Sequence, residues 1–262
     1  MVAALVLGLL NTLVRPLLST VFGARMLEPI DPLLACSRGF ARRALQSQGW
    51  DAPFAQYGLD PWLGALAALE GFRLAQSRLH TQHASLRGQA ELSEVFRQVV
   101  GSVFSVISAE SARWRAVTEV REVPTLGQAI APAPSRLCFD VDACVRASRE
   151  GVEALQPVLK DVLRAQTLAS LQAAGHSARI DDALWVRIVY EFVTGAGRAT
   201  LPVDQLAQAL QPIYLGRLAT LLQQLSAQPA TEGGPDPHAS LADTFERLRP
   251  ELVASWPEST RG

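Results

Sequence analysis

Cysteine is scarce in this chain of 262 residues: Cys36, Cys138 and Cys144 are the three. An odd number without framework spacing excludes a disulfide scaffold and points to a reducing, cytoplasmic compartment. No CxxC pair or neighbouring histidine supports a thiolate metal site, so the thiols read as ordinary core or surface groups. A charge excess is missing too, the formal net charge being -1. With no basic stripe interleaved with aromatics, nucleic acid is not an expected partner. No apolar run reaches the ~20 residues that cross a bilayer. The N-terminal VAALVLGLLNTLV ends at Arg15 and Pro16, and it lacks the basic start of a signal peptide. It reads first as a buried helix of a larger fold and second as a site of peripheral membrane contact. If its packing partner is absent, it should leave an apolar face exposed. The chain has no G-x-S-x-G, P-loop, G-x-G-x-x-G or H-E-x-x-H motif and no repeat of fixed period.

What is present is hydrophobic content of 48%, ample for one large or two small cores. The patterning predicts a mainly α chain with minor β. Val2 to Phe22 reads as a helix kinked or broken at Pro16. Met26 to Cys36 is irregular, and Ser37 caps a short helix to about Gln46. Asp60 caps a helix that has Pro61 at its first position and ends at Gly71. Phe72 to Leu79 alternates weakly and reads as a strand, with a loop from His80 to Gln89. Apolar residues three and four apart then mark a long helix from Glu91 to about Val117. The Gly-, Ala- and Pro-rich stretch Pro124 to Pro134 is the internal boundary, dividing residues 1–123 from 124–262. The second part reads as helical throughout: Asp142 to Leu155, Gln156 to Ala174, Ala183 to Thr194 capped by Asp181 or Asp182, Val203 to Ala209, Ile213 to Ala227, and Ser240 to Trp256. Pro212 separates two of these, Gly195 and Gly197 stop another, and Pro229 to His238 is a linker.

Few residues carry obvious chemistry. Asp60 reads as a helix cap or as a carboxylate facing a ligand, and the two readings are compatible because a helix N-terminus is a natural polar edge. His80 and His83, three apart in an expected loop, could share a divalent metal if a third ligand reached them; solvent-exposed histidines are the plainer reading. Glu70 is ten residues from Asp60, about 15 Å along a helix and too far for paired-carboxylate chemistry. Arg187 and Glu191 are four apart and are expected to pair.

Four blocks together resemble a known family: YGLDPWLGALAALEGFRLAQ (Tyr57 to Gln76), FRQVVGSVF (Phe96 to Phe104), LWVRIVYEFV (Leu184 to Val193) and LQPIYLGRLATLL (Leu210 to Leu222). Their order is similar to that of GT-A-type glycosyltransferases related to the glucosyl-3-phosphoglycerate and mannosylglycerate synthases. The resemblance implies a remnant of the acceptor-side half of a GT-A domain, followed by a helical C-terminal domain. It implies sugar transfer from a nucleotide-sugar donor to a small acceptor, with Mg²⁺ or Mn²⁺ on the diphosphate as Lewis acid. Asp60 matches the acidic residue of the acceptor-side block, and His83, or His80 after a small shift, matches the metal-binding histidine.

The chain departs from the family's pattern. Glu28-Pro29-Ile30 runs into Asp31-Pro32-Leu33 where the family has a Gly-Gly turn, and Ala84 follows His83 where an acidic residue is usual. Asp140-Val141-Asp142 is the one Asp-x-Asp string, and its place before a helix marks it as a cap. The nucleotide-binding half is therefore expected to be absent, or supplied by a separate polypeptide. The alternative is a non-catalytic helical interaction or regulatory module derived from such an enzyme.

Overall fold

Apolar residues at helical spacing, interrupted by prolines, give a mainly helical chain with little strand. The computed structural model describes residues 8–27, 29–30, 34–47, 50, 59–77, 89–127, 140–177, 179–227 and 237–257. It divides into two compact units, Met1–Leu137 and Cys138–Gly262.

In the first unit a π-helical turn, Leu10–Val14, runs directly into α1, Arg15–Phe22. The Arg15 N–H reaches back to the Leu10 carbonyl. Pro16, which has no N–H to donate, stands just past this widened turn, so the chain absorbs the proline without breaking. Nearly every side chain from Thr12 to Phe22 is buried, so no apolar face is left open along this stretch. Gly23 ends α1 at φ 69°, a backbone that disfavours a side chain. A Cβ there would also lie 2.6 Å from Val117 and 2.7 Å from the Glu119 carbonyl.

Strand β1, Ala24–Arg25, follows at once. α2, Arg38–Leu45, is capped by Ser37, whose hydroxyl accepts from the Phe40 N–H at 3.2 Å. α3, Leu59–Leu69, ends in a Schellman arrangement: Gly71 N–H donates to Ala68 O and Phe72 N–H to Ala67 O. Of the expected strand from Phe72, only β2, Gln76–Ser77, pairs among the described residues. The long helix is divided into α4, Gln89–Ala109, and α5, Ser111–Trp114. The chain turns at Glu110 because Trp114 is wholly buried and its indole N–H donates to the Ile107 carbonyl at 2.8 Å.

β3, Arg121–Glu122, pairs in parallel with β1, and β4, Thr125–Leu126, pairs in parallel with β2. The segment 121–126 thus belongs to the first unit, which places the boundary later than residue 123. Arg121 N–H donates to Gly23 O, whereas Pro124 O accepts from the Gln76 N–H. Backbone groups of an extended chain alternate sides, so positions 121 and 124 face opposite edges. β1 and β2 therefore flank a shared middle segment.

The second unit opens with α6, Val141–Ala154, capped as expected by Asp140, which accepts from Ala143 N–H. The helix expected from Gln156 to Ala174 is two, α7 (Gln156–Val162) and α8 (Ala165–Ser177). Leu163 is extended and buried, and Glu191 accepts from the Arg164 N–H at 2.8 Å and from the Thr167 hydroxyl at 2.7 Å. That carboxylate caps α8 from a distant part of the chain. α9 runs from Asp182 to Gly197, capped by Asp181. Its last turn passes through Gly195 and Gly197 rather than stopping at Thr194. α10, Val203–Ala227, is continuous through Pro212, and α11 spans Pro237–Ser255.

Close approach of small residues holds α6 on α10. A Cβ on Gly151 would lie 2.4 Å from the Pro212 ring, and one on Gly216 would lie 2.5 Å from the Ser148 hydroxyl. Proline at 212 thus serves as a packing surface for Gly151 instead of ending a helix. α11 lies on α9 through Tyr190, whose hydroxyl donates to Phe245 O at 2.5 Å, and through Arg187, 3.4 Å from Glu251. The indole of Trp256 covers Gly197. Arg217 on α10 is 1% exposed. Its guanidinium donates to Ile180 O at 2.8 Å and to the Asp182 carboxylate, while Thr220 accepts the Ile180 N–H at 2.9 Å.

Gly151→Ala is expected to lower stability by about 1–3 kcal/mol through overpacking against the rigid proline ring. Arg217→Ala is expected to cost about 3 kcal/mol by stranding the Ile180 carbonyl and the Asp182 carboxylate. Urea unfolding of the full chain measures both.

Candidate functional site

Two contacts join α3 to the strand segments. Arg121, at the start of β3, donates to Ala68 O at 3.0 Å, near the C-terminus of the helix. One turn earlier, a Cβ on Gly64 would lie 3.3 Å from the sulfur of Met26, the residue following β1. Arg121 thus meets the C-terminal part of α3, and Met26 packs one turn nearer its N-terminus. Asp60 lies about 6 Å further along the helix axis than Gly64, in the first turn.

The sequence leads α3 to form here for local reasons. Pro61 fits a first turn, and Ala65, Ala67 and Ala68 are small enough for α1, α2 and α4 to pack around it. Pro61, Trp62, Leu63, Ala65, Leu66, Ala67 and Ala68 are buried, while Asp60 is half-exposed. Asp60 was expected to precede the helix as its cap. It lies instead within the first turn, because the helix already includes Leu59. A carboxylate there still favours the positive end of the helix dipole.

Gln76 joins the strands beneath this site, and nothing in its local sequence signals the role. Its side-chain carbonyl accepts from Leu27 N–H at 2.8 Å, and its amide donates to Val123 O at 3.1 Å and Thr125 Oγ1 at 3.2 Å. One side chain thus ties both outer strands to the middle segment.

Glu70 is far from Asp60, at the opposite end of α3. It receives Arg43 at 2.7 Å and Arg113 at 3.3 Å. With Arg121 on Ala68 O, these cations surround the negative end of the helix dipole. Glu70 is structural. His80, His83 and Cys138 lie outside the described residues. Among the described residues, no three His, Cys, Asp or Glu side chains come together as a metal-holding group.

The expected Arg187–Glu191 pair is not formed. Arg187 turns to Glu251, and Glu191 turns to the start of α8. Burial pushes the Glu191 carboxyl up, opposed by the Thr167 and Arg164 hydrogen bonds. Burial likewise raises the Tyr190 and Tyr214 hydroxyls and lowers Arg217. The Cys144 thiol is raised by burial and then by the Asp140 charge, which suits an inert thiol. These groups are packed within the second unit and do not converge on a shared cleft.

Comparison with protein-family models, curated proteins and solved structures finds no match for this chain.

Glu191 generates a pH test. Its pKa in the fold lies above the ordinary 4.5, so the native state holds the proton more tightly than the unfolded chain. Its contribution to stability is present below that ordinary value and is lost as pH rises through the raised one. The melting temperature of the natural chain relative to that of Glu191→Gln should therefore fall as pH rises from 4.5. A difference that is constant with pH contradicts this assignment.

Proposed function

We propose that this chain is the acceptor-side part of a nucleotide-sugar-dependent glycosyltransferase, with Asp60 directed at the acceptor or the transferred sugar. The observation that carries the reading is a half-exposed carboxylate in the first turn of a helix that packs beside the parallel strand pairs. A carboxylate there can accept hydrogen bonds from sugar or acceptor hydroxyls and can stabilise positive charge as the glycosidic bond breaks.

The resemblance of the Tyr57 to Gln76 block to acceptor-side sequences supports the same role. In this reading the donor is held by a nucleotide-binding half that a separate polypeptide can provide. His83 or His80 is the histidine assigned to the Mg²⁺ or Mn²⁺ that accompanies the donor diphosphate. The helical second unit acts as a scaffold.

A second reading, a non-catalytic helical interaction or regulatory module, draws support from one observation. Tyr190, Glu191, Tyr214 and Arg217, whose ionisation is shifted by burial, are absorbed by packing in the second unit.

Calorimetric titration with glycerate and phosphoglycerate tests the first reading. The full chain should bind one of them, and Asp60→Asn should weaken that binding about tenfold or more without lowering the melting temperature. Nucleotide sugars with Mg²⁺ or Mn²⁺ should give no transfer by this chain alone. Acceptor binding that is absent, or unchanged in Asp60→Asn, removes the acceptor-side role and leaves the module.

A further inference from the structure

The outer face of α2 combines charge and apolar bulk in a way the proposed function does not use. Arg38, Arg42 and Leu45 stand at i, i+4 and i+7, one stripe of the helix. All three are exposed, whereas Phe40 and Ala44 on the opposite side are buried. From residue 34 to residue 50 the chain has three arginines and no carboxylate. Arg43 is engaged by Glu70. Among the described residues, no carboxylate pairs with Arg38 or Arg42.

The same short stretch holds three of the five large hydrophobic side chains that stand exposed among the described residues: Leu34 at 59%, Leu45 at 73% and Trp50 at 39%. Trp50 is not a loose side chain. Its indole N–H donates to Ala44 O at 2.6 Å, and its ring meets Trp62 edge-on at 5.4 Å. That bond sets Trp50 beside Leu45, at the C-terminal end of α2. Leu34 precedes the Ser37 cap at the other end. Two free guanidinium groups therefore lie between apolar side chains that stand out from the surface.

We propose that this face rests on an anionic lipid surface, with Arg38 and Arg42 at the headgroup phosphates and Leu45, Trp50 and Leu34 inserted beside them. Basic groups for the headgroups beside exposed leucine and tryptophan for the acyl boundary are the residue types by which peripheral segments hold an anionic membrane. Charge alone would also suit an acidic protein. The exposed Leu45, Leu34 and Trp50 beside the arginines add the apolar component that a lipid surface takes up. This contact is distinct from the N-terminal apolar helix, whose described residues from Thr12 onward are mostly buried in the first unit.

Flotation of the full chain with phosphatidylcholine vesicles, with and without phosphatidylglycerol, tests the proposal. The chain should float only with the anionic vesicles and should be released by salt. The Arg38→Glu/Arg42→Glu double variant should lose affinity on the order of tenfold or more, and Leu45→Ser should bind more weakly than the natural chain. Circular dichroism and thermal melting show whether the variants keep their fold, and salt release of the natural chain is a test that needs no variant. Failure to float on anionic vesicles, equal binding to neutral ones, or unchanged binding by a folded double variant overturns it. So does retention on polyglutamate without flotation, which points to an acidic protein instead.

Discussion

The side-chain amide of Gln76 is the constraint on which the first unit depends. Two-residue strands make too few ladder bonds to hold a parallel sheet by themselves, since parallel pairing is slightly weaker per residue than antiparallel. Gln76 supplies what the ladder lacks. It presents a carbonyl to Leu27 and an amide to Val123, so it acts as an extra peptide group laid across the middle segment. That junction joins Leu27, just after β1, to the segment between β3 and β4.

The parts of this fold that are legible in the sequence are the ones fixed within a few residues. Ser37, Asp140 and Asp181 cap helices because each places an acceptor beside N–H groups two or three positions on. Gly71 ends α3 because its neighbours need a left-handed residue there. Prolines mislead for the opposite reason. Pro16 is absorbed by a π turn and Pro212 by a continuous helix, since burial on other elements outweighs a missing hydrogen bond. The break after Val162 is invisible locally because its cap, Glu191, is contributed by α9. The same distant demand removes Glu191 from Arg187. At the candidate site, Asp60 is legible as a carboxylate opening a helix. The contacts that pack its helix, Arg121 on Ala68 and Met26 on Gly64, come from residues distant in sequence.

Both units use charge in the same economical way. Arg217 satisfies a loop carbonyl and a helix-opening carboxylate with one guanidinium, and Glu70 gathers two arginines at a helix C-terminus. Buried ionic groups of this kind do more to select one arrangement than to add net stability. Ionisable groups so employed are not free for chemistry.

The pairing of Ala24 with Arg121 has a temporal consequence. Almost the whole first unit separates these partners, so the sheet has a long closing distance and a correspondingly slow nucleation step. As the chain leaves the ribosome, the apolar helix ending at Phe22 emerges early, while the segment that pairs beside it emerges about a hundred residues later. α3, from Leu59, supplies that helix with a packing neighbour before the β1–β3 pair closes, so helix packing precedes strand closure as the chain emerges.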